Sequence, residues 1–355
     1  RQIAALVADL GADLFTTRQR SEIRLVDIAT RDSGSAEAVK AVLRDNPFPP
    51  QDLELFLGKK RLLERLESSD REVRIDRFLH DPSFDQRLIP GWEQFRQFAG
   101  DGIDARLVFA ALIQHHPQVG RRLGSPDGAP IQMPDFDSID RDDTATWTML
   151  LWASIQQSRR TIDDTSIRLT ASLCRVGGGP EPLRDHERRV VSRLIASYLT
   201  RAPIDVRDRM VIGLRYGCTE IVHQDCRQIL TDPSESPSRI VTAMLAASVI
   251  DLSPSETDQW INSFLTDWRV SHVWRSMMPP KTTHRTQVRD VALALQLHRS
   301  GIDPRTRGFE ALVADPILVF RPYSLGFESD DARSRAHDGK SLTDHSIRGP
   351  RPPTG

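Results

Sequence analysis

Apolar positions recur at helical spacing from the first residues of the chain. Ile3, Leu6, Val7 and Leu10 fall at i, i+3, i+4 and i+7, one stripe of an amphipathic helix. The same template fits Val191, Leu194, Ile195, Tyr198 and Leu199, then Val241, Met244, Leu245, Val249 and Leu252. Ile261, Phe264, Leu265 and Trp268 follow it more loosely, and all of these are read as core-facing stripes. Start signals agree. Ser253-Pro254-Ser255-Glu256 offers an N-cap hydroxyl, a proline at the first helical position and a glutamate at the third. Asp81-Pro82 and Ser236-Pro237 are read as starts of the same kind. Ile317 to Phe320 is the one short candidate strand, so the expected class is all-α.

The helical pattern breaks between Gly124 and Thr146, where prolines, glycines and aspartates crowd together. Gly177-Gly178-Gly179-Pro180 and Met278-Pro279-Pro280 mark smaller interruptions. From Glu328 onward the chain is polar and offers too little apolar area to offset the entropy of ordering. The organisation predicted is an N-terminal helical region over 1–124, an Asp/Pro-rich linker over 125–146, a second helical region over 147–327 and a disordered tail over 328–355.

A weak unit recurs within the helices. Asp70-Arg71-Glu72-Val73-Arg74, Ile204-Asp205-Val206-Arg207-Asp208 and Thr286-Gln287-Val288-Arg289-Asp290 each place Val-Arg where a helix is expected to begin. The interval from Val206 to Val288 is about twice the roughly 40-residue period of paired-helix solenoids, and Ser238-Arg239-Ile240 lies between them. In these residues the chain resembles the HEAT-repeat family, and Asp13 with Thr17-Arg18 ahead of Leu25, Ile28 and Ala29 is similar to its opening. The segments Gln287 to Phe309, Ser324-Leu325-Gly326-Phe327 and Pro90-Gly91-Trp92 with Phe95 and Phe98 look like parts of an uncharacterised group of bacterial HEAT-like proteins. The resemblance implies an irregular α-solenoid of antiparallel helix pairs. It also implies that Arg18, Arg74, Arg207 and Arg289 form a structural ladder with acidic groups of neighbouring units, and it implies no chemistry.

Charge narrows the partners. The 355 residues carry 48 Lys and Arg against 49 Asp and Glu, which disfavours a surface built to neutralise phosphates and makes nucleic acid an unlikely partner. No stretch reaches the roughly 18 apolar residues of a membrane span, so the chain is expected to be soluble. It begins at Arg1 rather than Met; an upstream targeting or anchoring segment is compatible with that, and no compartment is assigned. Cys174, Cys218 and Cys226 are too few for a disulfide framework and read as small buried hydrophobes.

The chemical motifs fail on spacing. Cys218 and Cys226, on one helix with His223, would be about 12 Å apart along the axis, too far to share a metal bound at about 2.0–2.3 Å. His186-Glu187-Arg188-Arg189-Val190 lacks the second histidine of the zinc-protease helix. His115-His116 reads as a polar helix end before Pro117. Gly339-Lys340-Ser341 copies the end of a phosphate loop without its first glycine, and Gly58-Lys59-Lys60 lacks both flanks. Asp135, Asp137, Asp140, Asp142 and Asp143 miss the calcium-loop pattern at Ile139 and Thr146. Arg121-Arg122, Arg159-Arg160 and Arg188-Arg189 are read as surface ion-pair formers. No catalytic residue, cofactor site or metal site is therefore assigned. The expectation is a non-catalytic protein-binding or scaffolding module that uses a solenoid surface. The alternatives are a HEAT-scaffold enzyme acting on a nucleobase in DNA, or a structural segment of a membrane-anchored protein.

Overall fold

The first stripe forms the helix it predicts: α1 (Gln2–Ala8) and a 3₁₀ turn (Asp9–Gly11) bury Leu6, Val7 and Leu10. A computed structural model describes residues 1–44, 52–123, 139–157, 164–250, 253–275 and 282–338, and these are mostly helical, with a few short strands. They divide into two compact units at Pro90/Gly91.

In the first unit α2 (Phe15–Ala29), α3 (Ser33–Arg44) and α4 (Leu53–His80) close on α1 around Leu25, Val39, Leu43, Leu62 and Leu66. The Asp52 carboxylate caps α4 by accepting from the Leu55 N–H at 3.0 Å. Lys40 is buried, and its ammonium donates to Glu37 at 3.0 Å and to Asp70. Burial alone would push this amine down, but Asp70 and Glu37 hold it above its usual range.

Two expectations fail here. Val73 and Arg74 do not open a helix; they lie inside α4, and both are exposed. Asp81-Pro82 does not start one either. Asp81 follows the last turn of α4 and accepts from Ser83 N–H and Arg77, a local turn in which the carboxylate serves the backbone.

The second unit begins with α5 (Trp92–Ala99), α6 (Ile103–His115) and α7 (Val119–Leu123), and continues through α8 (Thr144–Gln157), α9 (Asp164–Cys174) and α10 (Asp185–Arg201). Trp92, Phe95, Phe109 and Trp152 form one aromatic cluster with ring centroids 4.9–5.9 Å apart between Phe95, Phe109 and Trp152. Gly91 precedes α5 at φ +86°, and a Cβ there would sit 2.5 Å from the Gly120 carbonyl and 2.8 Å from the Trp152 ring. Only glycine fits. Because α5 and α6 pack on α8 and α10, the compact units part before α5 and not at Gly124. Helix α8 starts at Thr144, and residues 124–138 of the expected linker lie outside the described residues.

Next come α11 (Val206–Arg215), α12 (Thr219–Leu230), α13 (Pro237–Ile250) and α14 (Pro254–Ser263). Ser236-Pro237 and Ser253-Pro254 start helices as read, although the Ser253 side chain makes no cap hydrogen bond. Residues 240–247 are all buried, so α13 is apolar all round rather than striped. It packs against α11, α12, α14 and the elements that follow. The Ile261, Phe264, Leu265, Trp268 stripe breaks at its end. Helix α14 stops at Ser263, and Trp268 is 71% exposed.

The remaining elements are strands β1 (Val270–Arg275) and β2 (Thr283–Gln287), helix α15 (Val288–Arg299), strands β3 (Ala314–Asp315) and β4 (Val319–Phe320), and helix α16 (Asp330–His337). The β1–β2 antiparallel pair was not expected. Its sequence alternates poorly because almost every position of both strands is exposed or only half-buried, so neither face demands an apolar row. The candidate strand at Ile317 to Phe320 contains β4. Glu328 onward departs from the disordered expectation as far as Asp338. Arg333 of α16 is buried and binds Asp290 of α15, so an ion pair orders a segment with little apolar surface. Residues 339–355 lie outside the described residues.

Candidate functional site

The four ladder arginines have separate surroundings. Arg18 lies in α2 and donates to the Ala12 and Asp13 carbonyls, with Glu54 at 3.8 Å. Arg74 donates to the carbonyl of Asp70 one turn back. Arg207 and Arg289 occupy like places, each the second residue of a helix that opens on Val206 or Val288. The Arg207 side chain is exposed, and Arg289 reaches its neighbour Gln287 at 2.7 Å. Of the four, only Arg18 approaches a carboxylate of another helix among the described residues, Glu54 of α4; the two most buried arginine bridges between helices in the second half of the chain belong to residues that the sequence did not single out. Arg209 of α11 forks onto Asp225 of α12 at 2.6 and 2.7 Å, and Arg333 of α16 grips Asp290 of α15. The only advance signal was that Arg209 follows Arg207 by two positions.

Cys218, His223 and Cys226 do not converge. Cys218 lies beside the Ser192 carbonyl and Cys226 beside that of Ala243, while His223 approaches Glu256 at 3.6 Å. No group of three metal-ligating side chains occurs among the described residues. His115 closes α6 with its ring against the Ala111 carbonyl, and His116 contacts Thr146 at 3.0 Å. Arg188 and Arg189 pair with Asp185 and Asp104. Asp135, Asp137, Arg159, Arg160 and Gly339-Lys340-Ser341 lie outside the described residues.

A cleft of about 420 Å³ opens between α9, the end of α10 and the start of α11, lined by Ile167, Thr170, Cys174, Tyr198, Ile204 and Asp208 among others. The Tyr198 hydroxyl bonds Thr170 at 2.9 Å and the Ser166 carbonyl at 3.1 Å. Burial pushes the Cys174 thiol up to about 12, with the Asp208 carboxylate adding to it. Cys226 is likewise pushed up to about 12 by burial, and so is the Tyr216 phenol. These thiols are packing groups, because the nucleophile is the thiolate.

Two results are expected from these shifts. At pH 8 Cys174 and Cys226 of the folded chain, in a Cys218→Ser background, should react with a thiol reagent roughly a thousandfold more slowly through their ionisation alone than in the urea-unfolded chain, as followed by release of thionitrobenzoate. Each folded pKa lies above its unfolded value. The stabilisation is therefore complete below the unfolded thiol value of 9.0 and is lost as pH rises toward about 12, so urea midpoints should fall across that window.

The β1–β2 pair presents two unlike faces. Trp274 stacks beside His284 across the strands at 5.1 Å and beside Tyr323 at 6.3 Å, which seats that face on the protein. His272 shares this face, and burial, with Arg207 nearby, lowers its pKa. The opposite face carries Val273, Arg275, Thr283 and Arg285, all exposed, with Val273 at 64%. From Trp268 to Arg289 the chain has Arg269, Arg275, Lys281, Arg285 and Arg289 and no acidic residue. Arg269 is bound to Asp267 at 2.7 Å and to the Glu235 carbonyl at 3.1 Å. The Arg275 and Arg285 side chains have no ion-pair partner among the described residues. Gly326 completes the platform. A Cβ there would lie 2.8 Å from the backbone of Arg285, so its absence lets Phe327 exchange both main-chain bonds with Arg285 at 3.0 and 3.2 Å.

No helix among the described residues is long and apolar enough to cross a membrane. No family model, curated protein or solved structure matches the chain.

Proposed function

We propose that the chain is a non-catalytic protein-binding module on an irregular HEAT-like solenoid of stacked helix pairs. Helices α11 and α15 support the solenoid reading, since each opens on Val-Arg with an aspartate beside it, and α13, between them, is enclosed by its neighbours. The observation that carries the binding role is the outward face of the β1–β2 pair, where Val273, 64% exposed, is set between the exposed side chains of Arg275 and Arg285. Arginine is among the side chains that supply most energy at protein contacts, and an apolar residue held in water between two arginines without ion-pair partners favours such a contact. Replacing Val273 with the photo-crosslinker benzoylphenylalanine is expected to yield discrete protein adducts in a lysate of the source cells. The same probe at Glu220, on the exposed start of α12, is expected to yield none. Equal yields from both positions would overturn the proposal.

A further inference from the structure

The main-chain pattern of the hairpin specifies how such a partner would attach, an inference that rests on the binding role proposed above. In an antiparallel pair, one residue's N–H and C=O point to the same side, and the side alternates along the strand. Arg285 directs both of its groups to Phe327, away from β1. Its opposite number Val273 therefore directs its own N–H and C=O away from β2. Arg275, opposite Thr283, does the same. The outer edge of β1 thus holds the main-chain groups of two residues with no backbone partner elsewhere among the described residues.

We propose that this edge receives an extended acidic segment of a partner protein, added beside β1 as a further strand. Main-chain bonds to Val273 and Arg275 supply the attachment, the recognised mode of strand addition. Charge complementarity supplies the choice of partner. A carboxylate opposite Arg275 meets a guanidinium directly, as in a cross-strand ion pair. One opposite Val273 lies two strand spacings, about 10 Å, from Arg285, within the combined reach of the two side chains. Val273 gives the incoming strand an apolar contact between the two charges. A nucleic acid could use the arginines but offers no ladder of N–H and C=O groups for the edge. The hairpin is held before binding by Arg269 on the Glu235 carbonyl and by the Val288 N–H on the Arg269 carbonyl at 3.0 Å, so little ordering remains to be done on this side.

The probe is a fluorescein-labelled ten-residue peptide of alternating Glu and Val, titrated into the full chain and read by anisotropy. Saturable binding is expected, lost when alternate peptide nitrogens are methylated and lost when Lys replaces Glu. Arg275→Glu with Arg285→Glu should weaken it by at least about tenfold, and so should Val273→Pro, which removes an outward N–H that an edge strand can forgo. Circular dichroism reports whether each variant folds; the methylated peptide tests the edge on the unaltered protein. Equal affinity for the methylated peptide, no binding of the parent peptide, or arginine-dependent binding of oligothymidylate or phosphatidylserine vesicles in its place would each overturn the proposal. If the peptide fails while the crosslinker at Val273 still captures proteins, the edge attachment falls and the binding role stands. If both fail, both fall.

Discussion

Replacing Asp290 with alanine is expected to lower the unfolding free energy of the second unit by about 3–5 kcal/mol, the cost of leaving a buried ion without its partner. The Asp290 carboxylate is fully enclosed. It accepts from the Gln287 N–H at 2.8 Å, from Arg333 Nε at 3.1 Å to both oxygens, and from His337 Nε2 at 3.2 Å. Its loss removes the cap of α15 and the acceptor of a guanidinium that is itself almost wholly buried. Arg333 also donates to the Arg285 carbonyl at 2.7 Å, so α16 and β2 should loosen together. Urea titration of the full chain measures the loss, and hydrogen exchange locates it. Amides of α16 and β2 should lose protection, whereas those of α1 to α3 should keep theirs. Combining Asp290→Ala with Arg333→Met should cost less than the sum of the two single changes, because the second removes the charge that the first strands. Additive effects would show that the two side chains act independently.

The second large effect is expected at Trp152. Truncation to alanine should cost about 3–5 kcal/mol, since it removes one wall of the cluster formed with Phe95 and Phe109 and leaves a cavity that the surrounding helices cannot fully close. Its ring meets Phe95 edge-on at 5.3 Å. Trp152→Phe should be much milder. The buried indole N–H has no hydrogen-bond partner, and phenylalanine keeps an aromatic contact while removing that unmet donor. The comparison uses thermal unfolding of the two variants side by side. A phenylalanine variant as unstable as the alanine one would mean that ring volume, rather than the unpaired N–H, dominates at this position.

The helices were legible in the sequence wherever a stripe had one wet side. Leu6, Val7 and Leu10 were placed correctly for that reason, as were the buried positions of α10. Start signals worked where a proline could occupy the first turn, at Pro237 and Pro254, and failed at Pro82, where Asp81 had a nearer use in binding Ser83 and Arg77. Val73-Arg74 misled because dipeptide identity carries no information on helix phase. The same dipeptide opens α11 and α15 and sits exposed inside α4.

The hairpin face was hidden for a different reason. Trp274 of β1 is seated beside Tyr323 and Arg285 of β2 is bonded to Phe327, residues some forty to fifty positions away in the chain, and that seating turns Val273 and Arg275 outward. Trp268 looked like the last position of a core stripe, and nothing local says that α14 ends at Ser263. Balanced total charge concealed the basic run from Arg269 to Arg289, which becomes informative once the strands show which arginines are already paired.

Helix α13 has a practical bearing on how the chain can be divided. Its residues 240–247 are enclosed on every side, in part by α15 and β1, which come later in sequence. A shortened polypeptide that stops between α14 and α15 would put this oily rod in contact with solvent and invite precipitation. Anyone trimming the molecule for crystallisation or display should cut at Pro90/Gly91 and carry everything through α16 on the same piece.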